Sequence, residues 1–294
     1  MAQREAAPVH PRRHGKPPFR AVLVHGGPGA PGSLGQVGRV LGLSFGVLEP
    51  WQSATTVAGQ VEELSGQIGA WASPPVTLIG HSWGAWLSFL LAEEHPEQVR
   101  SLVLIGCGPL TTYHAAEVDR RRRQRLSPGL WKEFEECRRR LENKTPRPRR
   151  SVLRRLGELA EVADSYELLA HPAPRNPPDP RAFQAVWREA EGMRRSGALV
   201  RALHRVQAPI LVIHGEADPH PFRGVIEPLR RGKAAFRVVL LPRCGHEPWW
   251  ERYASDRFFE ELRTELARVL GKPEGRPPAL RPRRRGRSRV GGAL

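Results

Sequence analysis

The sequence predicts an α/β fold with a mostly parallel sheet of about six strands, helices on both faces and an inserted helical cap. Short apolar runs alternate with helical segments, which is the pattern of strands joined by crossover helices. The runs lack polar alternation, as do strands that are buried on both faces of a parallel sheet. A chain of 294 residues is long enough to enclose such a core.

Six apolar runs are interpreted as strands because each ends in turn residues or leads into a helical segment. They lie at 19–27, 43–50, 75–80, 99–106, 208–215 and 236–242. Three helices are predicted between or after these strands, at 57–71, 83–96 and 256–270.

The alternation is interrupted between residues 109 and 205, where no strand-like run occurs. Ser127-Pro128 and Asp179-Pro180 each provide a helix cap followed by a first-turn proline. We therefore expect a helical cap at 109–205, inserted between a first core segment at 20–108 and a second at 206–271.

Both ends of the chain are predicted to lie outside the folded body. Residues 1–19 contain four prolines and no apolar periodicity, so we expect a disordered or extended arm. Residues 272–294 form a basic, proline-rich tail with too little apolar surface to fold, so disorder is expected there too.

The net charge of +17 is concentrated outside the predicted core. The cap region 112–205 contributes +9, the tail +7 and residues 1–20 contribute +4, so the core is slightly acidic. Solvated surface charge explains this distribution, and nucleic acid is not an expected partner. The run DRRRRQR at 119–125 could clamp an acidic substrate or a phosphate, but a solvated helix face is the simpler interpretation and is preferred.

Three cysteines, Cys107, Cys137 and Cys244, are too few and too scattered for a disulfide framework or a zinc site. The first twenty residues contain no apolar run able to serve as a signal-peptide core, and no stretch approaches the roughly 20 residues needed to span a bilayer. We therefore expect a cytoplasmic protein without a membrane partner.

No Walker loop, dinucleotide fingerprint or metal-ligand cluster appears, so no cofactor is expected. The sequence gives no indication of oligomeric state.

The stretch LIGHSWGAW contains a candidate nucleophile, Ser82, between Gly80 and Gly84. Ser82 follows one predicted strand and precedes a predicted helix, as the sharp turn called a nucleophile elbow requires. The flanking glycines have a physical reason, because a Cβ at either position would clash with neighbouring backbone. The serine itself is expected to adopt an unfavourable backbone conformation that exposes its hydroxyl.

A serine hydroxyl needs a base, and the base needs an acid to orient it. His246 follows the strand at 236–242 and is the best-placed histidine, whereas His25 and His214 are expected to be structural. The loop after the strand at 208–215 offers two acids. Asp218 is preferred because its position just past the strand suits a neighbouring strand end, and Glu216 is the minor alternative.

The charge that develops on a substrate oxygen needs preorganised donors, so an oxyanion hole is the fourth expected part. The stretch HGGPG at 25–29 follows the first core strand and provides glycine backbone able to approach a ligand. We predict that the backbone N–H groups of Gly27 and Trp83 point at one oxygen. Trp249 and Trp250 either pack the last helix on the sheet, which is preferred, or form a wall of the pocket.

With these motifs the chain resembles the α/β-hydrolase fold over residues 20–108 and 206–271. HGGPG together with GHSWG is similar to the proline iminopeptidase branch of that fold. The resemblance implies Ser82, Asp218 and His246 as a catalytic triad and Gly27 and Trp83 as oxyanion donors. Members of that branch hold a free amine with acidic cap residues. The acids available in this cap include Glu133, Glu135, Glu136, Glu158 and Glu161.

The sequence therefore predicts a serine hydrolase that cleaves a small ester, amide or short peptide through an acyl-enzyme. A narrower alternative is a proline iminopeptidase, which removes an N-terminal proline. A third hypothesis is not enzymatic: the chain could be a non-catalytic protein of this fold that binds polyanions through its basic tail.

Overall fold

The structure is a computed structural model that describes residues 10–29, 31–142, 150–169 and 179–272. Its centre is a seven-stranded sheet in the order β1-β3-β2-β4-β5-β6-β7. The strands are β1 Arg12–His14, β2 Phe19–Val24, β3 Gly46–Glu49, β4 Val76–His81, β5 Val99–Ile105, β6 Ile210–Gly215 and β7 Phe236–Leu241. All neighbouring pairs from β3 to β7 are parallel, so the predicted fold class and its six strands are confirmed.

The additional strand, β1, lies within the arm that was predicted to be disordered or extended. It pairs antiparallel with β3 at the sheet edge. Two side chains hold it there: His14 Nε2 lies 2.9 Å from Glu49 Oε2, and the Arg12 guanidinium lies 4.9 Å from the centre of the Trp51 ring. Of the two alternatives expected for the arm, disordered or extended, residues 12–14 adopt the extended one, because long-range polar contacts replace the missing apolar pattern.

Ten α-helices are present in the described residues. They are α1 Gly35–Leu41, α2 Val57–Trp71, α3 Trp83–Glu94, α4 Thr112–Arg125, α5 Pro128–Glu142, α6 Arg150–Asp164, α7 Pro180–Arg195, α8 Ala198–Arg205, α9 Arg223–Arg231 and α10 Ser255–Leu270. The predicted helix at 57–71 coincides with α2. The predicted helix starts at Pro128 and Pro180 are also observed. At the second of these, the Asp179 carboxylate accepts the backbone N–H of Arg181 at 2.8 Å.

The sheet is covered on both faces, as parallel sheets require. One face packs on α2, α3, α8 and α9, and the other packs on α1 and α10. Helix α3 is the most enclosed of the described helices, with every residue buried except Glu93 and Glu94. An all-round apolar helix is expected where a helix is covered on every side. The first residue of α3 immediately follows Ser82, so the candidate elbow leads directly into this buried helix.

The region expected to form a cap contains five helices, α4 to α8, but these belong to two layers. Helices α5 and α6 share a separate apolar cluster that includes Trp131, Phe134 and Leu159, and Leu126, just after α4, joins it. Helix α8 instead packs against the main core through Leu199 and Leu203. The last helix of the predicted cap segment thus packs as part of the core layer.

The described residues do not include 1–9 of the arm or 273–294 of the tail, so the expectations for those segments fall outside them. Within the described residues, no helix combines the length and the apolar character needed to cross a bilayer.

Candidate active site

Ser82 lies at the junction of β4 and α3 with φ 54° and ψ −114°. A positive φ is costly for a residue with a Cβ, and among the described non-glycine residues only Ser82 and Arg243 have one. The Ser82 backbone N–H donates to the carbonyl of Ile105 on the neighbouring strand at 3.0 Å. The sharp strand-to-helix turn predicted from the sequence is therefore present, with the expected strain at the serine.

The glycines that flank Ser82 make the close backbone approaches that this turn needs. A Cβ on Gly84 would overlap the carbonyl oxygens of Val24 and His25 on the adjacent strand. A Cβ on Gly80 would overlap the Gly84 carbonyl across the turn. Any larger residue at either position would push α3 away from the sheet.

Asp218 and His246 meet at the carboxyl ends of β6 and β7. His246 Nδ1 lies 2.7 Å from Asp218 Oδ2, and both side chains are nearly inaccessible, with 11% and 0% of their surface exposed. Glu216, the alternative acid, is exposed to solvent. The structure thus pairs the preferred acid with the preferred histidine.

Asp218 contacts more histidines than the sequence suggested. His220 donates its backbone N–H to Asp218 Oδ1 at 2.9 Å and its Nδ1 lies 2.8 Å from the same oxygen. The His220 ring also stacks on the His246 ring, with centroids 4.3 Å apart. His214 Nε2 lies 3.6 Å from Asp218 but is hydrogen-bonded to the His220 carbonyl at 2.9 Å. Sequence reasoning missed His220, and its place two residues after Asp218 was the available signal.

The pKa values of Asp218, His246 and His220 follow from their burial and from the charges beside them. Burial alone would raise the pKa of Asp218, but the attraction of His246, His220 and His214 holds it well below its usual range. Burial acts to lower the pKa of His246, yet the adjacent Asp218 carboxylate raises it above its ordinary value. Burial and repulsion from His246 lower the pKa of His220 to about 4. Near neutral pH, Asp218 is therefore ionised and His220 is neutral.

The same three residues have the composition of a metal site, since one ligand atom from each lies within 4.8 Å of the others. Hydrogen bonds account for the arrangement without an ion. A carboxylate only accepts, so Nδ1 of both His246 and His220 must carry a proton directed at Asp218. The outer ring nitrogens, Nε2, are left for other partners.

The candidate oxyanion donors lie on two backbone segments that border one space. Gly27 has φ 51°, a conformation that favours glycine. Trp83 is the first residue of α3, where backbone N–H groups have no acceptor within the helix. The Asp179 N–H donates to the Gly29 carbonyl at 2.8 Å and ties this loop to the start of α7.

A cavity of about 1010 Å³ lies between the sheet and the inserted helices. Ser82, His246, Gly27 and Trp83 all line it, together with His220. The helices α4 to α7 supply most of its other wall. All the predicted site residues except Asp218 therefore border one space, and Asp218 lies directly behind His246.

The arginine run at 119–125 was interpreted as a solvated helix face, and this is wrong for part of it. Arg122 makes a two-pronged ion pair with Asp164, at 2.7 Å and 2.5 Å, and its side chain is only 17% exposed. The Asp164 carbonyl in turn accepts the backbone N–H of His246 at 2.9 Å.

Arg125, from the same run, donates to the carbonyls of Ala163 and Ala217. These arginines join α4 to α6 and to the site loops.

Glu251, which sequence reasoning also missed, fixes the loop that carries His246. Its fully buried carboxylate accepts the backbone N–H groups of Gly245 at 2.9 Å and of Tyr166 and Glu167 at 2.8 Å. One residue therefore connects the His246 loop to the segment that follows α6. Hydrogen bonds to a buried charged acceptor are among the stronger ones.

Glu251→Ala is expected to lower the free energy of unfolding by about 3 kcal/mol, because one buried N–H group and two partly buried N–H groups lose their acceptor. Urea denaturation of both proteins measures the change. Glu261→Ala is the matched control, since the Glu261 carboxylate lies 3.8 Å from Arg257 at the partly exposed surface of α10. An equal, small effect of the two substitutions would contradict the connecting role of Glu251.

The remaining residues considered in the sequence analysis pack or hydrogen-bond within the fold. Trp249 is fully buried against Phe258 of α10 at 5.9 Å, so it packs the last helix, as preferred. His81 Nε2 lies 3.0 Å from the His246 carbonyl and its ring contacts Trp249. Cys107 and Cys244 are buried and unlinked.

The acids of the cap are largely engaged by neighbouring arginines. Glu133 pairs with Arg155 at 2.7 Å, Glu158 pairs with the same Arg155 at 3.1 Å, and Glu136 pairs with Arg139. Glu158 and Glu161 border the cavity, whereas Glu133, Glu135 and Glu136 do not. A cluster of acids ready for a free amine is not formed by these five residues.

Comparisons with known proteins agree with this fold. A profile of the Alpha/beta hydrolase family matches residues 21–261. A 2-hydroxymuconate semialdehyde hydrolase of Pseudomonas putida is 38% identical over 101 residues. That match covers 30% of this chain and 36% of the relative, so the chain spans only about a third of the length of this curated relative.

Two solved structures show the same fold at low identity. A thermophilic esterase from Thermogutta terrifontis has a TM-score of 0.59 and 20% identity, covering 88% of this chain and 93% of that chain. A monoacylglycerol lipase from Paleococcus ferrophilus has a TM-score of 0.58 and 17% identity, covering 88% and 98%.

Proposed function

Because the chain belongs to the alpha/beta hydrolase family, we propose that it is a serine hydrolase that cleaves a small ester or amide through an acyl-enzyme. The observation that carries the proposal is the pairing of His246 with buried Asp218 at 2.7 Å, beside a cavity that a strained Ser82 also lines. Such an arrangement has the parts that activate a hydroxyl: a nucleophile, a base and an orienting acid.

In the proposed reaction, Ser82 Oγ attacks the substrate carbonyl while His246 Nε2 takes the hydroxyl proton. Asp218 holds the Nδ1 proton of His246 and stabilises the imidazolium that forms, without itself being protonated. The imidazolium then returns the proton to the leaving alcohol or amine. Water, activated by the same histidine, hydrolyses the acyl-enzyme and regenerates Ser82.

The negative charge on the carbonyl oxygen in the tetrahedral intermediate needs fixed donors. We assign this role to the backbone N–H groups of Gly27 and Trp83. The position of Trp83 at the start of α3 supports the assignment, because the helix dipole adds positive potential there.

A small-molecule substrate is supported by the cavity of about 1010 Å³, which lies under α4 to α7. The removal of an N-terminal proline is the less favoured alternative, because most of the cap acids considered for a free amine pair with arginines. Polyanion binding by the tail stays a separate hypothesis, since residues 273–294 lie outside the described residues.

A fluorophosphonate probe and one substrate panel test the proposal. We expect covalent labelling at Ser82, mapped by mass spectrometry, and rapid hydrolysis of short acyl aryl esters. The panel adds thioesters and amino-acid aryl amides with free or blocked amines. Cleavage of the free proline amide alone would favour the iminopeptidase alternative. Absence of both labelling and turnover would overturn the hydrolase proposal.

A further inference from the structure

One wall of the cavity is built from stacked aromatic rings. Trp86 and Trp187 lie nearly parallel, 5° apart in plane with centroids separated by 6.0 Å, and Phe183 continues the stack on Trp187 at 6.2 Å. Trp86 belongs to α3 and its Nε1 donates to the Gly108 carbonyl at 3.0 Å, which fixes the ring. Phe183 and Trp187 belong to α7. All three side chains line the same cavity as Ser82.

The guanidinium of Arg194, in the last turn of α7, lies on this aromatic wall. Its central carbon is 4.9 Å from the centre of the Trp86 ring and 5.8 Å from that of Trp187. Arg194 also lines the cavity. Stacking on indole holds a guanidinium plane by cation–π attraction and leaves its N–H edge free for a planar partner.

Among the described residues, no carboxylate lies within ion-pair distance of Arg194. The same holds for Arg150 and Arg188 of this cavity, but of these three only Arg194 lies on the aromatic wall. Arg122 is paired with Asp164, and Arg138 is paired with Asp119. Glu191, one turn before Arg194, lies 3.9 Å from Arg195 instead.

Arg194 also has a hydrogen-bond donor without an acceptor. Its Nε is buried and has no hydrogen-bond partner in the described part of the chain. A buried donor without an acceptor is costly, so the site is completed only when an acceptor arrives. Burial also lowers the pKa of Arg194, which an anion in contact would reverse.

We propose that Arg194 binds a carboxylate on the substrate, so that the preferred substrate is an acyl compound with a distal carboxylate. A fixed guanidinium edge presents parallel N–H groups that match the two oxygens of a carboxylate. The inference rests on the proposed hydrolase function and adds its substrate class.

The carboxylate and the reacting carbonyl would lie at different places in the cavity. The Arg194 guanidinium lies over the Trp86 ring, 4.9 Å from its centre, and Trp86 follows Ser82 by four residues along α3, a rise of about 6 Å along the helix axis. The test therefore varies the number of carbons between the two groups.

The test compares 4-nitrophenyl monoesters of adipic, suberic and sebacic acid with the same compounds methylated at the distal carboxylate. The wild type is expected to hydrolyse the best free acid with a kcat/KM about 10- to 100-fold above that of its methyl ester, as one charge-assisted contact provides. Arg194→Met keeps an apolar side chain over the rings and is expected to abolish this preference while changing methyl-ester turnover little. Arg195→Met, next to it on α7, is the matched control and is expected to keep the preference.

Binding without chemistry separates this inference from the hydrolase proposal. Ser82→Ala protein is titrated calorimetrically with the free diacids, alone and combined with Arg194→Met. Diacid binding that Arg194→Met weakens about 10-fold or more would support the site even if no ester is hydrolysed. Ester hydrolysis without any charge preference, together with no diacid binding, would overturn the inference and leave the hydrolase proposal standing. An equal loss of both ester types in Arg194→Met would reduce Arg194 to a structural residue.

Discussion

Ser82→Ala is expected to lower the kcat of ester hydrolysis by about six orders of magnitude, with little change in KM. The substitution removes the attacking oxygen but leaves the cavity, the histidine and the backbone donors in place. Stability should change little, because alanine at φ 54° is strained in the same way as serine. Steady-state kinetics with a short aryl ester, with thermal unfolding in parallel, measure both quantities.

Ser33→Ala provides the matched control for probe labelling. Ser33 lines the same cavity, and its hydroxyl has no hydrogen-bond partner among the described residues. Since no base among the described residues is hydrogen-bonded to Ser33, its removal is expected to leave probe labelling at Ser82 intact. Strong labelling of the Ser82→Ala protein would show that another residue is the nucleophile and would end the triad assignment.

The sheet was largely predictable because its central strands are continuous apolar runs, which report burial on both faces. The same reasoning could not find β1, since Arg12–His14 contains no apolar residue. That strand exists because His14 meets Glu49 across 35 positions of sequence. Long-range polar contacts of this kind leave no periodic signal.

The candidate site was predictable where topology alone decides proximity. Parallel strands bring their carboxyl ends to one edge, so the loops with Ser82, Asp218 and His246 had to converge. The supporting contacts depend on the inserted helices and were missed. The arginine run, for example, gave no sign that Arg122 would meet Asp164 behind the His246 loop.

Asp218→Asn is expected to lower kcat by about four orders of magnitude, the effect seen when a triad acid becomes an amide. An amide cannot stabilise the imidazolium of His246 and can hold the wrong ring tautomer. The loss should be larger than a simple hydrogen-bond deletion because Asp218 also accepts both the Nδ1 and the backbone N–H of His220. Glu216→Gln removes the same charge two residues away, from an exposed side chain, and is expected to change kcat by less than about threefold.

The pH profile distinguishes loss of the charge from general disruption. His246 must be neutral to accept the Ser82 proton, and Asp218 raises the pKa of His246. The acid limb of wild-type kcat/KM should therefore lie above the ordinary histidine pKa of about 6.5. In Asp218→Asn the attraction is gone and burial still lowers the pKa of His246, so the acid limb of the residual activity should move to lower pH. A limb that does not move would mean that His246 is not the titrating base, and a larger loss in Glu216→Gln would transfer the acid role to Glu216.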